Sequence, residues 1–138
     1  MAQIILISAM RCNFNKEIRM EKMNVKPATG KLGVLCVGLG AVTSTFMTGV
    51  LMARKGLAKP VGSMTQYDKM RVGRGENKKY LHYGEIVPLA TLDDIVFGAW
   101  DVYPANAYES AVNAEVLQEK DILPVKEELE KIVPMKAA

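Results

Sequence analysis

The sequence of 138 residues contains few of the residue types that build covalent or metal-based scaffolds. It has two cysteines, Cys12 and Cys36, and one histidine, His82. Neither cysteine stands at a metal-ligand spacing from another ligand residue, and Cys36 lies within an apolar run that is typical of a buried strand. We therefore expect neither a disulfide framework nor a metal site, and a reducing compartment is the default.

A strong excess of charge of one sign and a long apolar run are also absent. The net charge is +3, from 18 basic and 15 acidic residues that are mixed along the chain, and Glu76 interrupts even the densest basic cluster, residues 71–79. The apolar stretch at residues 42–52 is broken by Ser and Thr and is well short of the ~20 apolar residues of a membrane span. The apolar residues 4–7 are too short for a signal peptide. We expect a cytoplasmic protein that binds neither nucleic acid nor membrane.

The length and the 49% hydrophobic content fit one globular domain, or an incomplete piece of a larger one. Residues 1–30 show no sustained period of 2 or 3.6, so we expect a poorly structured N-terminal extension there. From residue 31 the pattern changes to alternating strand and helix signals. We assign residues 31–138 to an α/β domain with a parallel sheet.

A strand, a tight turn and a helix follow one another at the start of that domain. The apolar run at residues 32–37 is typical of a strand that is buried on both faces of a parallel sheet. Val42, Phe46 and Val50 then recur at helical spacing, and Gly56 stands just past the predicted end of the helix.

The turn carries the first two glycines of a dinucleotide-binding fingerprint. Gly38 lets the chain turn sharply, and Gly40 has no Cβ, so that backbone can approach a pyrophosphate at the positive end of the helix. Thr43 stands where a third glycine is usual, and hydroxyl groups at residues 43–45 offer further donors. The turn at residues 38–43 is therefore a candidate phosphate-binding site. The alternative is a glycine-rich turn in an α/β protein that binds no nucleotide.

The acidic residue that usually binds the ribose is missing from its expected place. About 20 residues after the glycines the sequence has Ala58, Lys59 and Pro60, and the next acid is Asp68. Either the adenosine is held differently, or the glycine turn is not a nucleotide site.

The middle of the chain predicts an extended loop and two further strands. Residues 59–83 have no clear period and form a predicted loop with a short strand at residues 61–65. Strands are predicted at residues 85–89 and, with a stronger apolar signal, at residues 95–99. A helix is predicted to begin with Pro104 at its first position. The alanines that follow form a stripe on this helix that is suited to close packing. The last predicted helix has an apolar face formed by Val125, Leu129, Ile132 and Val133.

Two polar residues follow the strand predicted at residues 95–99. Asp101 and Asn106 stand at its carboxyl end, where open α/β sheets place their ligands, and beside a predicted helix N-terminus. They are candidate cofactor-binding residues. The alternative is that Asp101 only caps the turn before the helix.

With these features in place, the chain resembles the myo-inositol-1-phosphate synthase family from about residue 24 to residue 136. The segment GSMTQ at residues 62–66 and the segment DIVFGAWDV at residues 94–102, followed by Asn106, carry the resemblance. It implies a Rossmann-like fold and an NAD-dependent isomerase that converts glucose 6-phosphate to myo-inositol phosphate, a step towards phospholipid biosynthesis. NAD would oxidise the sugar and later return the hydride. The intact family members are expected to be homo-tetramers.

The resemblance also implies residue roles. The NAD pyrophosphate would lie against the glycine turn, at Gly38, Gly40, Ala41, Val42 and Thr43. The segment with Trp100, Asp101 and Asn106 would line the rest of the dinucleotide. The family's catalytic lysines and acids lie beyond the matched motifs, so we assign no catalytic residue. We expect a partial Rossmann-like fold, incomplete at its C-terminus, that is inactive alone. The alternatives are a stand-alone nucleotide-binding module and a truncated chain without function.

Overall fold

The computed structural model of the protein describes residues 29–137, so the predicted extension at residues 1–30 lies outside the described residues except for its last two. The strands are β1 (Leu32–Val37), β2 (Lys69–Val72), β3 (Lys79–His82), β4 (Ile95–Asp101) and β5 (Met135–Lys136). The helices are α1 (Ala41–Arg54), α2 (Met64–Tyr67), α3 (Tyr83–Ile86), α4 (Ala107–Asn113), α5 (Glu119–Ile122) and α6 (Lys126–Glu130). No helix within residues 29–137 is long and apolar enough to cross a membrane.

A three-stranded parallel sheet organises the domain. Its order is β1-β4-β5, and β1 pairs with β4 in a register that runs from Leu32 opposite Ile95 to Val37 opposite Trp100. Both long strands lie where apolar runs predicted them, and α1 follows β1 as expected. The predicted α/β fold with a parallel sheet is therefore confirmed.

Helices cover one face of this sheet. Helix α1 follows β1 and helix α4 follows β4, and the two helices contact each other, so they lie on the same side of the sheet. The core between sheet and helices is formed by Leu39, Met47, Leu51, Ala99, Ala107, Ala111, Ile122, Val125 and Leu129. On the opposite face Leu35 is 60% exposed and Val37 is 91% exposed. The prediction that the first strand is buried on both faces is therefore wrong for the described residues, which cover only one face.

The start of α4 differs from the prediction. The helix begins at Ala107 and not at Pro104, because Asn106 caps it: the Asn106 Oδ1 atom accepts the Glu109 N–H at 2.9 Å, and Glu109 Oε2 accepts the Asn106 N–H at 3.0 Å. Ala107 and Ala111 are buried in the core, as the predicted small-residue stripe requires. Their lack of bulk allows α4 to pack closely on α1.

The segment between α1 and β4, residues 55–94, is a folded excursion rather than an extended loop. It contains α2, α3 and the antiparallel pair β2–β3. The predicted strand at residues 61–65 is wrong, since this stretch is a turn that leads into α2. The predicted strand at residues 85–89 is wrong as well, because Glu85 Oε1 accepts the backbone N–H of His82 at 2.9 Å and so caps α3. Because α1 runs back to the amino edge of the sheet and β4 starts there, the excursion leaves and returns at that edge.

The last helix, α6, is shorter than the sequence predicts. A 3-10 turn at Leu123–Val125 separates α5 from α6, because Pro124 has no N–H to continue an α-helix from α5. Val125 and Leu129 are fully buried as predicted. Helix α6 ends at Glu130, so Val133 lies beyond it and is 63% exposed, and its predicted place on the buried face is wrong.

Candidate functional site

The turn between β1 and α1 needs one of its two glycines for conformation and the other for access. Gly38 has a φ of +92°, a left-handed value that residues with a side chain rarely adopt. Gly40, the N-cap of α1, has φ −90° and ψ −161°, which any residue adopts, and a Cβ there would meet no atom within 4 Å. The protein's own packing therefore does not require glycine at position 40. The missing side chain leaves the helix mouth open.

Unpartnered backbone donors surround this open mouth. The first hydrogen bond of the helix runs from the Ser44 N–H to the Gly40 carbonyl at 3.0 Å. Within residues 29–137, no hydrogen bond uses the N–H groups that precede it, those of Gly40, Ala41, Val42 and Thr43. No side chain caps the helix, and its first turn has no acidic residue. The positive end of the helix dipole and its free donors therefore form a place for an anion.

The hydroxyl groups near this mouth are not all available. Ser44 is buried, and its hydroxyl donates to the Ala41 carbonyl of the same helix at 3.2 Å. This hydroxyl proton is therefore not available to a ligand. The expectation that residues 43–45 all offer hydroxyl donors is therefore wrong for Ser44. Thr43 and Thr45 are half-buried and have no hydrogen bond of their hydroxyls among the described residues.

The end of β4 is tied to the glycine turn. The Gly38 N–H donates to the Trp100 carbonyl at 2.7 Å, and the Leu39 N–H donates to Oδ2 of Asp101 at 2.6 Å. Oδ1 of Asp101 accepts the Tyr103 N–H at 2.9 Å. The N–H groups of Tyr103 and then Leu39 hold the pKa of Asp101 below its ordinary value of 3.8, so this carboxylate is ionised at neutral pH.

Asp101 also stands at a different spacing from the glycines than the acid of a typical dinucleotide-binding fold. In dinucleotide-binding folds the acid follows the glycines by about 20 residues because one helix and one short return lead to the next strand. Here the excursion at residues 55–94 intervenes before the next strand of the parallel sheet, β4, and Asp101 is the last residue of that strand. Residues 58–60 hold no acid, as the sequence shows. The carboxylate that contacts the turn is that of Asp101, which is distant from the glycines in sequence but beside them in space.

Asn106 lies at the same edge of the sheet but has a task of its own. Its side-chain oxygen caps α4, as described above, and no hydrogen bond within residues 29–137 joins it to the glycine turn. The structure thus brings Asp101 together with Gly38 and Leu39, whereas Asn106 stands apart at the following helix.

A groove of about 350 Å³ lies elsewhere, between α4 and α5. Its lining is mostly apolar, with Tyr108, Val112 and Leu117, and it includes the carboxylates of Glu115 and Glu119. Two carboxylates would repel a diphosphate, so this groove does not suit a dinucleotide. Within residues 29–137 no three His, Cys, Asp or Glu side chains are grouped so as to hold a metal ion.

Comparison with known proteins relates the chain to a family of NAD-binding domains. A family model of NAD-binding domains, described as myo-inositol-1-phosphate synthase, matches residues 32–138. Inositol-3-phosphate synthase 1 of Bacteroides thetaiotaomicron is 57% identical over 118 residues, which cover 85% of this chain and 27% of that protein. Inositol-3-phosphate synthase isozyme 1 of Arabidopsis thaliana is 30% identical over 147 residues, which cover 96% of this chain and 26% of that protein.

A solved structure is similar as well. The crystal structure of inositol-3-phosphate synthase from Caenorhabditis elegans superimposes with a TM-score of 0.71 at 26% sequence identity. The match covers 82% of this chain and 24% of that one. The chain thus spans about a quarter of the length of the relatives that it matches.

Proposed function

The chain belongs to the myo-inositol-1-phosphate synthase family, and from this membership we propose that residues 31–138 are the N-terminal, NAD-binding part of an inositol-3-phosphate synthase. The observation that carries the proposal is the mouth of α1, where unpartnered N–H groups meet a residue without a side chain. An acid-free first turn adds to it, since a carboxylate there would compete with a phosphate.

The residues around the turn fit a dinucleotide in two parts. The N–H groups of Gly40, Ala41 and Val42, with Thr43 behind them, would bind the pyrophosphate. Gly38 would contribute by its conformation, which directs the chain into the helix. An ionised carboxylate accepts about four hydrogen bonds. Asp101 accepts two from the backbone, so it retains capacity for the hydroxyls of the adenosine ribose.

Asn106 would face the same ligand from the next helix. Its side-chain oxygen is used as a cap, which leaves its NH₂ group as the part available to a cofactor. We keep Asn106 as a cofactor-binding candidate with this narrower role, as a donor only.

The proposed reaction belongs to the intact enzyme. NAD, when bound, supplies the acceptor and later the donor of a hydride in the conversion of glucose 6-phosphate to myo-inositol phosphate. The described residues of this chain bind and orient the cofactor, and we assign none of them a proton transfer. We expect the chain alone to be inactive. Assembly of the intact enzyme as a homo-tetramer and a cytoplasmic location stay predictions.

An NMR titration of the 138-residue chain tests the proposal. Adding NAD or ADP to millimolar concentration should shift the amide signals of Gly40, Ala41 and Val42 saturably, because these donors would take up the phosphates. Adenosine, which has no phosphate, is the matched control and should leave them unmoved. Shifts that cluster instead at the groove between α4 and α5, or equal shifts with adenosine, would contradict the proposed site.

A further inference from the structure

The glycine turn is fastened at three points. The Gly38 N–H continues the sheet by bonding to the Trp100 carbonyl, and the Leu39 side chain, 3% exposed, is anchored in the core. The third point is the Leu39 N–H, which donates to the Asp101 carboxylate. Of the three, only this last one depends on a charged side chain, and hydrogen bonds to ionised acceptors are the stronger kind.

We propose that Asp101 is a positioning residue for the glycine turn: its carboxylate holds the Leu39 N–H inward, so that the next N–H groups, from Gly40 onward, are the ones that face the ligand. The effect on the ligand rests on the proposed NAD site, whereas the effect on the turn does not. The peptide unit between Gly38 and Leu39 follows directly on the left-handed Gly38, so its orientation determines the direction in which the chain enters α1. Without an acceptor this N–H would have to turn outward to find water.

A carboxylate beside an anion site is otherwise unfavourable. Asp101 bears the same sign of charge as a phosphate, so the repulsion must be outweighed by another contribution. Ribose binding is one, and positioning of the turn is a second. The two contributions are separable, because inorganic pyrophosphate has no ribose and responds only to the turn and to the charge.

Asp101→Asn separates them with little change of shape. An asparagine has one acceptor oxygen, so it can serve the N–H of Leu39 or that of Tyr103 but not both in the native geometry. If Asp101 were merely a nearby charge, its removal would strengthen pyrophosphate binding. If Asp101 positions the turn, the same variant weakens pyrophosphate binding severalfold in spite of the lost repulsion. Asp93→Asn is the matched control, since Asp93 is an exposed acid whose side chain accepts no hydrogen bond within residues 29–137.

The amide signals of the unliganded chain provide a readout that does not need the cofactor. The Leu39 amide proton should titrate with the Asp101 carboxyl group, whose pKa lies below its ordinary range. In Asp101→Asn, hydrogen exchange at Leu39 should accelerate by about tenfold to a hundredfold, as expected for the loss of a charge-assisted hydrogen bond. Exchange at Val50, in the middle of α1, should stay unchanged.

The outcomes distinguish this proposal from the proposed function. If the chemical shift of the Leu39 amide proton in the native chain does not change when Asp101 is protonated, the positioning role is overturned. This measurement needs no variant that might misfold. Tighter pyrophosphate binding by Asp101→Asn also overturns it. If the native chain binds no pyrophosphate while Leu39 still titrates with Asp101, the anion site fails and the fastening of the turn stands.

Discussion

Lys55 Nζ lies 2.6 Å from Glu128 Oε1, and this ion pair joins the C-terminal end of α1 to α6. The same ammonium group donates to the Pro124 carbonyl at 2.7 Å. Lys55 therefore binds a carbonyl of the 3-10 turn and a carboxylate of α6 at the same time. These contacts lie at the surface, whereas Leu129 of the same helix is buried in the core. Both charged side chains are more than a third exposed, so solvent screens their attraction.

Glu128→Gln is expected to lower the free energy of unfolding at pH 7 by only about 0.5 kcal/mol, the range of partly exposed pairs. The hydrogen bond from Lys55 lowers the pKa of Glu128 from 4.5. A lowered carboxyl pKa gives stability that is present above the unfolded-state pKa and is lost as the pH falls through the folded-state pKa. Urea unfolding of both proteins at pH 7 and near pH 3 should therefore show a difference that disappears in acid. Glu130→Gln, whose partner Lys126 is 3.6 Å away, should change less; a difference independent of pH would exclude this account.

Gly38→Ala is expected to destabilise the protein by about 1–2 kcal/mol, because alanine must adopt the left-handed φ of the turn. Space is not the reason, since a Cβ at this position meets no atom within 4 Å. Gly33→Ala is the control: it lies in β1 without a positive φ and with equal space, and it should be neutral or slightly stabilising. Thermal unfolding of the two variants measures the contrast. Equal melting temperatures would show that the turn is not held in this conformation.

Gly40→Ser should change stability and NAD binding in opposite directions. A serine hydroxyl at this N-cap can accept an N–H of the first turn, which stabilises the helix by a few tenths of a kcal/mol. The same hydroxyl and Cβ would occupy the donors and the space proposed for the pyrophosphate. Melting curves and NAD titrations of one preparation test both effects together.

The matched control is Gly49→Ala, on the exposed side of the same helix. It should stabilise the protein by about 0.5–1 kcal/mol and leave NAD binding unchanged. Undiminished affinity in Gly40→Ser would be incompatible with phosphate binding at this helix mouth.

Leu129→Ala should cost about 2–5 kcal/mol, because Leu129 is fully buried in the core between the sheet and the helices. Val133→Ala should stay within about 0.5 kcal/mol, since that side chain is largely exposed beyond the end of α6. Urea unfolding of the two variants tests where the last helix ends. A large loss of unfolding free energy in Val133→Ala would instead support the longer helix that the sequence predicts.

The sequence predicted the strand, the turn and the helix at the start of the domain well because their signals are local. Residues 32–37 and the helical spacing that follows are long enough for their periods to be recognised, and Gly38 marks the turn between them. The same holds for β4, whose apolar run stands out from its surroundings. Short helices such as α2 and α3 have only four residues each, which is little more than one turn and too short to show a period.

The contact between Asp101 and the glycine turn was not predicted, for a different reason. Asp101 was found as a candidate from its place after a strand, but its contact with Leu39, 62 residues away, depends on which strands are neighbours. Neighbouring strands are a property of the sheet and not of the spacing along the chain.

The pairing of β1 with β4 around the whole excursion has a consequence for the order of folding. Closing so long a segment costs chain entropy before any contact between the two strands compensates for it. The hairpin β2–β3 is local and forms on a microsecond timescale, so it shortens the effective distance between the strands beforehand. We therefore expect the docking of β4 on β1 to be the slow step of refolding, as is usual for topologies dominated by distant contacts.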